Sequence, residues 1–258
     1  MSQHMVILGA GTALPDAERD NTSMVWESPA GGLLIDCGGR AYQQLLRAGI
    51  DPCSLQAILL THSHPDHIYG VPALLFHLWL AGYQGTLPVY ANPSTLAMAQ
   101  KLCEALELPQ KGYMCKVDWR MLTEVPNTLV FDNDHYGVWT APAVHTVPTL
   151  AVKIVDHLTN RTLVNSSDTE PNAGSEAFAQ GTHTLIHEAT NSDPSQGHGH
   201  TTPRQAGEIA RRAGAEQLIL IHYSSRYTMP EAEALAQVQV ADFTGSVVIA
   251  QELAHYLA

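Results

Sequence analysis

The sequence predicts an α/β fold, and three observations carry that expectation. Short apolar runs of strand length recur along the whole chain, helical patterns fall between them, and the polar clusters with chemical character sit in loops directly after strands. In order, strands are expected at Val6 to Leu8, Ser23 to Glu27, Leu33 to Asp36 and Ala57 to Leu60, with a helix at Arg40 to Ala48 between the last two. Helices fit Val71 to Leu80 and Ser94 to Leu106, on either side of a strand at Leu87 to Tyr90. The second half supplies strands near Val138 to Val144, Ala151 to Ile154, Thr162 to Asn165, Thr184 to His187 and Leu218 to Ile221, the last being the clearest buried run. Helices fit Pro203 to Ala213, opened by Thr201-Thr202-Pro203, and Pro230 to Gln239, before a closing strand at Ser246 to Ala250. At 258 residues, with no composition shift, internal repeat or low-complexity tract, the chain is expected to form one domain, 1–258, with a sizeable core.

The densest chemistry lies in Thr61-His62-Ser63-His64-Pro65-Asp66-His67, directly after the apolar run Leu55 to Leu60. Residues two apart in extended chain share a face, so His62 and His64 can converge while Asp66 and His67 point toward a second ion. Neutral imidazoles with few carboxylates suit zinc, and two nearby ions are a standard device for hydrolysing esters, phosphodiesters and amides. Three further groups follow strand-like runs: His145, Asp168 within Ser166-Ser167-Asp168-Thr169, and His222 after Gln217 to Ile221. Side chains at the carboxyl ends of strands can converge on one rim of a sheet. Singly, such a histidine is more often solvated and such an aspartate more often a turn cap.

In that order these groups resemble the metallo-β-lactamase superfamily, and within it the tRNase Z branch. The resemblance runs nearly end to end, through Leu8 to Pro15, Leu34-Ile35-Asp36-Cys37-Gly38, the His62 motif and Val144 to Pro148. It continues through Ser167-Asp168-Thr169, His187-Glu188-Ala189-Thr190, His200-Thr201-Thr202 and Leu220 to Tyr227. It implies an αββα sandwich with a binuclear site on one edge. It also implies that His62, His64 and His145 hold one metal, that Asp66, His67 and His222 hold the other, and that Asp168 bridges them. Two Lewis acids lower the pKa of a shared water enough to make hydroxide available near neutral pH, and Asp66 can orient it. The resemblance further assigns the leaving-group acid to His200, paired with Glu188, since a neighbouring carboxylate favours the protonated imidazole. His198 is a rim residue at best. Arg226 stands where the resemblance implies an arginine, whose natural partner is an anionic phosphoryl group, with a structural ion pair as the alternative.

Departures from that family bear on substrate. Only 22 residues separate His145 from Asp168, taken up by two strands and a turn around Asp156 to Arg161, where bacterial tRNase Z enzymes project a tRNA-gripping arm. Lys and Arg total 13 against 25 acidic residues, a formal net charge of −12 that repels a large polyanion at long range. Tyr90-Ala91-Asn92-Pro93 replaces the family's Tyr-Gly-Pro. Phe76, Trp79, Leu80 and Tyr83 read as ordinary core, or else as an apolar pocket or dimer face.

The expected protein is therefore a dinuclear metal-dependent hydrolase acting on a small phosphodiester, with zinc as the metal and manganese or iron also compatible. RNA is disfavoured as substrate, and tRNA 3′ processing is the runner-up. A carboxyl-ester, sulfate-ester or thioester hydrolase, or a non-catalytic metal-binding protein, are further alternatives. No apolar stretch is long enough to span a bilayer, Met5 to Leu8 has no preceding Lys or Arg, and Cys37, Cys53, Cys103 and Cys115 are widely spaced. A cytoplasmic homodimer with reduced cysteines is expected. Gly9 and Gly11 do not make a dinucleotide loop, because Leu14 stands where that fingerprint wants glycine.

Overall fold

Side-chain alternation along extended chain accounts for the architecture. In strand β1 (His4–Gly9), Met5 and Ile7 face one way and Val6 and Leu8 the other, and all four are buried. A strand apolar on both faces needs cover on both, which a sandwich of two sheets flanked by helices supplies. The computed structural model describes residues 3–196 and 198–258 and has that form. Among these residues one sheet runs in the order β14 (His255–Tyr256), β1, β2 (Ser23–Ser28), β3 (Gly31–Ile35), β4 (Leu55–Leu59), β5 (Thr86–Ala91), β6 (Lys116–Met121). The other runs β13 (Ser246–Ile249), β12 (Gln217–Ile221), β11 (Thr184–Glu188), β10 (Arg161–Asn165), β9 (Thr149–Asp156), β8 (Tyr136–Ala143), β7 (Thr128–Asp132).

Three apolar layers follow from the alternation. Met5, Ile7, Trp26, Ile35 and Leu59 meet Val152, Ile154, Ile186 and Ile219 between the sheets. Val6, Leu8, Leu34 and Ile58 instead pack beneath helices α1 (Ala41–Arg47), α3 (Val71–Leu80) and α4 (Pro93–Ala105), the last followed by the one-turn α5 (Leu108–Lys111). On the far side Val164, Leu185, Leu218 and Leu220 pack against α6 (Ala173–Ala179), α7 (Pro203–Ala213) and α8 (Glu231–Val240). The result is the expected αββα sandwich. Helix α7 begins where expected because Thr202 and Gln205 close a reciprocal capping box around Pro203.

Strands β3, β4, β5 and β6 pair in parallel, as do β10, β11, β12 and β13. Their carboxyl ends gather on one rim, where the backbone ties the sheets together: Leu150 N–H donates to Thr61 O at 3.1 Å and Tyr223 N–H to Ala10 O at 3.2 Å. Helix α2 (Pro65–Ile68), one turn long, lies on that rim. Gly38 packs beneath it so closely that a Cβ would stand 1.5 Å from the Asp66 carbonyl oxygen.

The sequence-based elements recur with shifts of one or two residues at most ends, and α3 and α7 match throughout. Strands β6 and β7 were not expected. Each is the edge of its sheet, half-buried and with polar residues interspersed, so its apolar periodicity is weak. The hairpin from β9 to β10 turns over four residues, 157–160, with no projecting arm. The reading of Phe76, Trp79 and Leu80 as core is corrected: Trp79 and Leu80 are 40 % and 62 % exposed, and Trp79 packs on Phe76 and Tyr113 at the surface, with ring centroids 5.9 and 5.3 Å apart. Tyr83 does pack against the helix-side core, its hydroxyl donating to Leu55 O at 3.0 Å. No helix among the described residues is long and apolar enough to cross a membrane.

Candidate dinuclear metal centre

Seven side chains from four loops meet at the rim. After β4 the chain is extended through His62 and His64, and Pro65 then starts α2, which places Asp66 and His67 on the inner side of the turn. His145 follows β8, Asp168 follows β10 and His222 follows β12. Two groups form, with ligand atoms inside each within 4.8 Å: His62, His64, His145 and Asp168, and Asp66, His67 and His222. In the first, His64 Nδ1 lies 3.1 Å from His62 Nε2 and 3.0 Å from His145 Nε2. In the second, Asp66 Oδ2 lies 3.4 Å from His67 Nε2 and 3.3 Å from His222 Nε2.

Asp168 joins them. Its Oδ2 stands 3.8 Å from the Nε2 atoms of both His62 and His145, 3.6 Å from that of His67 and 3.5 Å from that of His222. These spacings are too long for direct hydrogen bonds and suit ligand atoms arranged around cations. His67 Nε2, buried and without a hydrogen-bond partner, is one such group. Charge supports the same fit. Burial, reinforced by His67, pushes His62 well below the ordinary imidazole range, and burial also lowers His64 and His145, which keeps their lone pairs available. Burial opposes ionisation of Asp66 and Asp168, yet the imidazoles of His222 and His67 outweigh it and hold both carboxyls below their usual range. His67 is pulled the other way: burial disfavours its charge, but Asp168 and Asp36 prevail and raise it well above the ordinary value. The donor set and its charge fit divalent metal ions.

The two expected acid residues also meet. Glu188 Oε1 lies 3.1 Å from His200 Nδ1 and accepts the N–H of Thr201 at 2.9 Å and of Thr169 at 3.2 Å. Burial alone would lower His200, but Glu188 more than compensates and the imidazole stays protonated to higher pH. His200 stacks on His222 with centroids 5.6 Å apart and lies within reach of Asp168 and His222. His198 is exposed at a left-handed φ of 61°. Arg226 is exposed too, four residues past His222, with its guanidinium 5.3 Å from the Tyr227 ring and no carboxylate partner among the described residues.

Sequence reasoning missed the groups behind these imidazoles. Asp36, held at φ 60° just past β3, accepts from His67 Nδ1 at 2.7 Å and from the Thr61 backbone at 2.7 Å. Its place in Leu34-Ile35-Asp36-Cys37-Gly38 was the available signal, but nothing in that run says which imidazole it faces. The Gly199 carbonyl accepts from His145 Nδ1 at 2.7 Å, and a Cβ on Gly199, at φ +87°, would stand 2.4 Å from that nitrogen. Asn92, the family departure, caps α4 through Thr95 N–H at 2.9 Å and ties the rim by donating to Pro148 O at 2.8 Å.

Two donor clusters sharing one carboxylate on the rim of an αββα sandwich define a metal-dependent hydrolase. The chain belongs to the beta-lactamase superfamily, whose domain matches residues 32–223. It is 29 % identical over 287 aligned positions to the Ribonuclease Z of Methanothermobacter thermautotrophicus, an alignment covering 91 % of each chain. The fold is shared with human short-form tRNase Z, at a TM-score of 0.78, 23 % identity and 98 % of both chains. A diphosphatase of the PhnP family also shares it, at a TM-score of 0.73, 20 % identity, 98 % of this chain and 96 % of that one.

Proposed function

We propose that this protein is a phosphodiesterase for a substrate smaller than tRNA, using two divalent ions, with zinc as the resident metal. The observation that carries the reading is the position of Asp168 Oδ2 at 3.5 to 3.8 Å from four imidazole Nε2 atoms that belong to two donor clusters. In this reading His62, His64 and His145 would hold one ion, Asp66, His67 and His222 would hold the other, and Asp168 would serve both. Bound there, the ions supply the Lewis acidity that makes hydroxide available near neutral pH.

The remaining steps belong to the chain. Asp66, on the inner face of α2, orients the attacking water and takes its proton on the carboxylate oxygen that does not face His67 and His222. As the water oxygen bonds to phosphorus and the bond to the leaving oxygen breaks, His200 delivers its Nε2 proton to that oxygen, because its Nδ1 is engaged by Glu188. Arg226, with no carboxylate partner among the described residues, is left to contact an anionic phosphoryl oxygen. The small-substrate reading is supported by the four-residue turn where an arm would project, by the net charge of −12, and by the likeness to a diphosphatase.

A second reading, cleavage of precursor tRNA, is favoured by the Ribonuclease Z relative that aligns over 91 % of the chain. Both are tested by supplying metal-reconstituted protein with bis(p-nitrophenyl) phosphate, with p-nitrophenyl esters of carboxylic, sulfuric and monophosphoric acids, and with a precursor tRNA. Diester preference without an efficient cut at the tRNA 3′ side supports the first reading, an efficient single cut supports the second, and preference for another ester overturns both. The exposed Trp79 and Leu80 surface is where we place the contact of a homodimer, checked by sedimentation of the wild type against Trp79→Glu.

A further inference from the structure

We infer that Thr61 and Thr190 are matched positioning residues, one for each metal, whose hydroxyls fix which ring nitrogen of His62 and of His222 offers its lone pair. The inference rests on the dinuclear reading above. Around Glu188, Thr190 Oγ1 lies 2.7 Å from Oε2 and 2.7 Å from His222 Nδ1. Around Asp36, Thr61 Oγ1 lies 2.8 Å from Oδ2 and 3.1 Å from His62 Nδ1. The two arrangements repeat one another. Each buried carboxylate engages one imidazole directly, His67 for Asp36 and His200 for Glu188, and a second through a threonine hydroxyl.

The direction of each bond follows from proton count. A threonine hydroxyl has one proton and two lone pairs, and a carboxylate only accepts. The hydroxyl therefore donates to the carboxylate and accepts from the imidazole Nδ1–H. Thr190 Oγ1 has a second acceptor within range, His222 O at 3.2 Å, but the shorter, charge-assisted contact to Glu188 takes the proton. With Nδ1 carrying the hydrogen, Nε2 carries the lone pair, and in both histidines Nε2 is the atom aimed at Asp168 Oδ2. Glu188 thus holds the proton donor His200 and sets the ligand His222 at once. A valine at either position keeps the shape, removes the acceptor, and leaves an Nδ1–H without its partner, so the other tautomer competes.

Zinc binding to the purified full chain, measured by equilibrium dialysis against a chelator-buffered series, tests this without reference to turnover. Wild type should bind two ions. Thr190→Val should weaken one of them by about 10- to 100-fold and leave the other unchanged, and Thr61→Val should do the same to the other ion. The variants Thr190→Ser and Thr61→Ser keep the hydroxyl and should return within a few-fold of wild type, which separates the hydroxyl's role from a loss of packing. Wild type binding two ions and both valine variants matching it would overturn the inference while leaving the dinuclear reading intact. Equal loss of both ions in each valine variant, or no rescue by serine, would reduce the threonines to structural residues and also overturn it. Wild type binding fewer than two ions would remove the dinuclear reading itself, and this inference with it.

Discussion

The two halves of the chain build the centre in different ways. The first half delivers His62, His64, Asp66 and His67 from one continuous segment, whose geometry is set locally by the end of β4 and one turn of helix. The second half delivers His145, Asp168 and His222 singly, each from the end of a different strand, and they meet only because β8, β9, β10, β11 and β12 are in register. The segment can therefore be read as a motif, whereas the single residues act through the sheet. Asp168 belongs to the second group, yet its Oδ2 is the atom that faces both donor clusters.

The largest effect should come from Asp168→Asn, which keeps the shape and removes the shared charge. Both ions should be lost and turnover should fall by at least about 10³-fold, since a few kcal/mol of Lewis-acid stabilisation disappears with them. His64→Ala, confined to the local segment, should release one ion only, and metal analysis of the two variants side by side shows whether the halves differ in this way. Next comes His200→Ala, expected to slow turnover by about 10² to 10⁴-fold while both ions remain bound. Loss of metal in that variant would mean that His200 serves the centre as a ligand.

Gly199→Ala forces a Cβ to within 2.4 Å of His145 Nδ1 and should weaken the first ion by about 10- to 100-fold, read by the same dialysis, with the second ion retained. Arg226→Ala should raise KM for an anionic diester by about two- to fivefold, with kcat little changed and the difference shrinking in high salt, as befits an exposed charge. The smallest effect concerns stability. His187, buried with its Nδ1 donating to Glu188 O at 2.8 Å, has a pKa lowered by burial below that of the unfolded chain. The unfolded state then binds the extra proton, so stability is complete above about pH 6.5 and falls as the pH drops toward the folded value. His187→Asn keeps a donor near Nδ1 and cannot titrate. Acid unfolding of this variant should be shallower than wild type by up to about 1.4 kcal/mol per pH unit, and identical curves would show that His187 does not contribute.

Much of the candidate centre was legible in advance because its candidate donors are unusual residues in unusual density. His62 to His67 needs no tertiary context to be noticed, and the positions of His145, Asp168 and His222 after apolar runs mark them as rim residues. The groups behind them were not legible. Asp36 and Thr61 lie 25 residues apart and Thr190 and His222 lie 32 apart, and nothing in either spacing states that they share hydrogen bonds. Edge strands β6 and β7 escaped for a different reason, since an edge buries too little surface to impose an apolar pattern.

Composition and residue order thus suffice for the α/β class, the strands apolar on both faces and the inventory of metal donors, because burial periodicity and ligand chemistry are properties of short stretches. The tertiary structure decides which candidate donors lie together, that Asp168 stands between the clusters, that Glu188 reaches both His200 and Thr190, and that Trp79 and Leu80 face outward. Those are distances between residues far apart in the chain, set by strand register and sheet stacking, which no local pattern encodes.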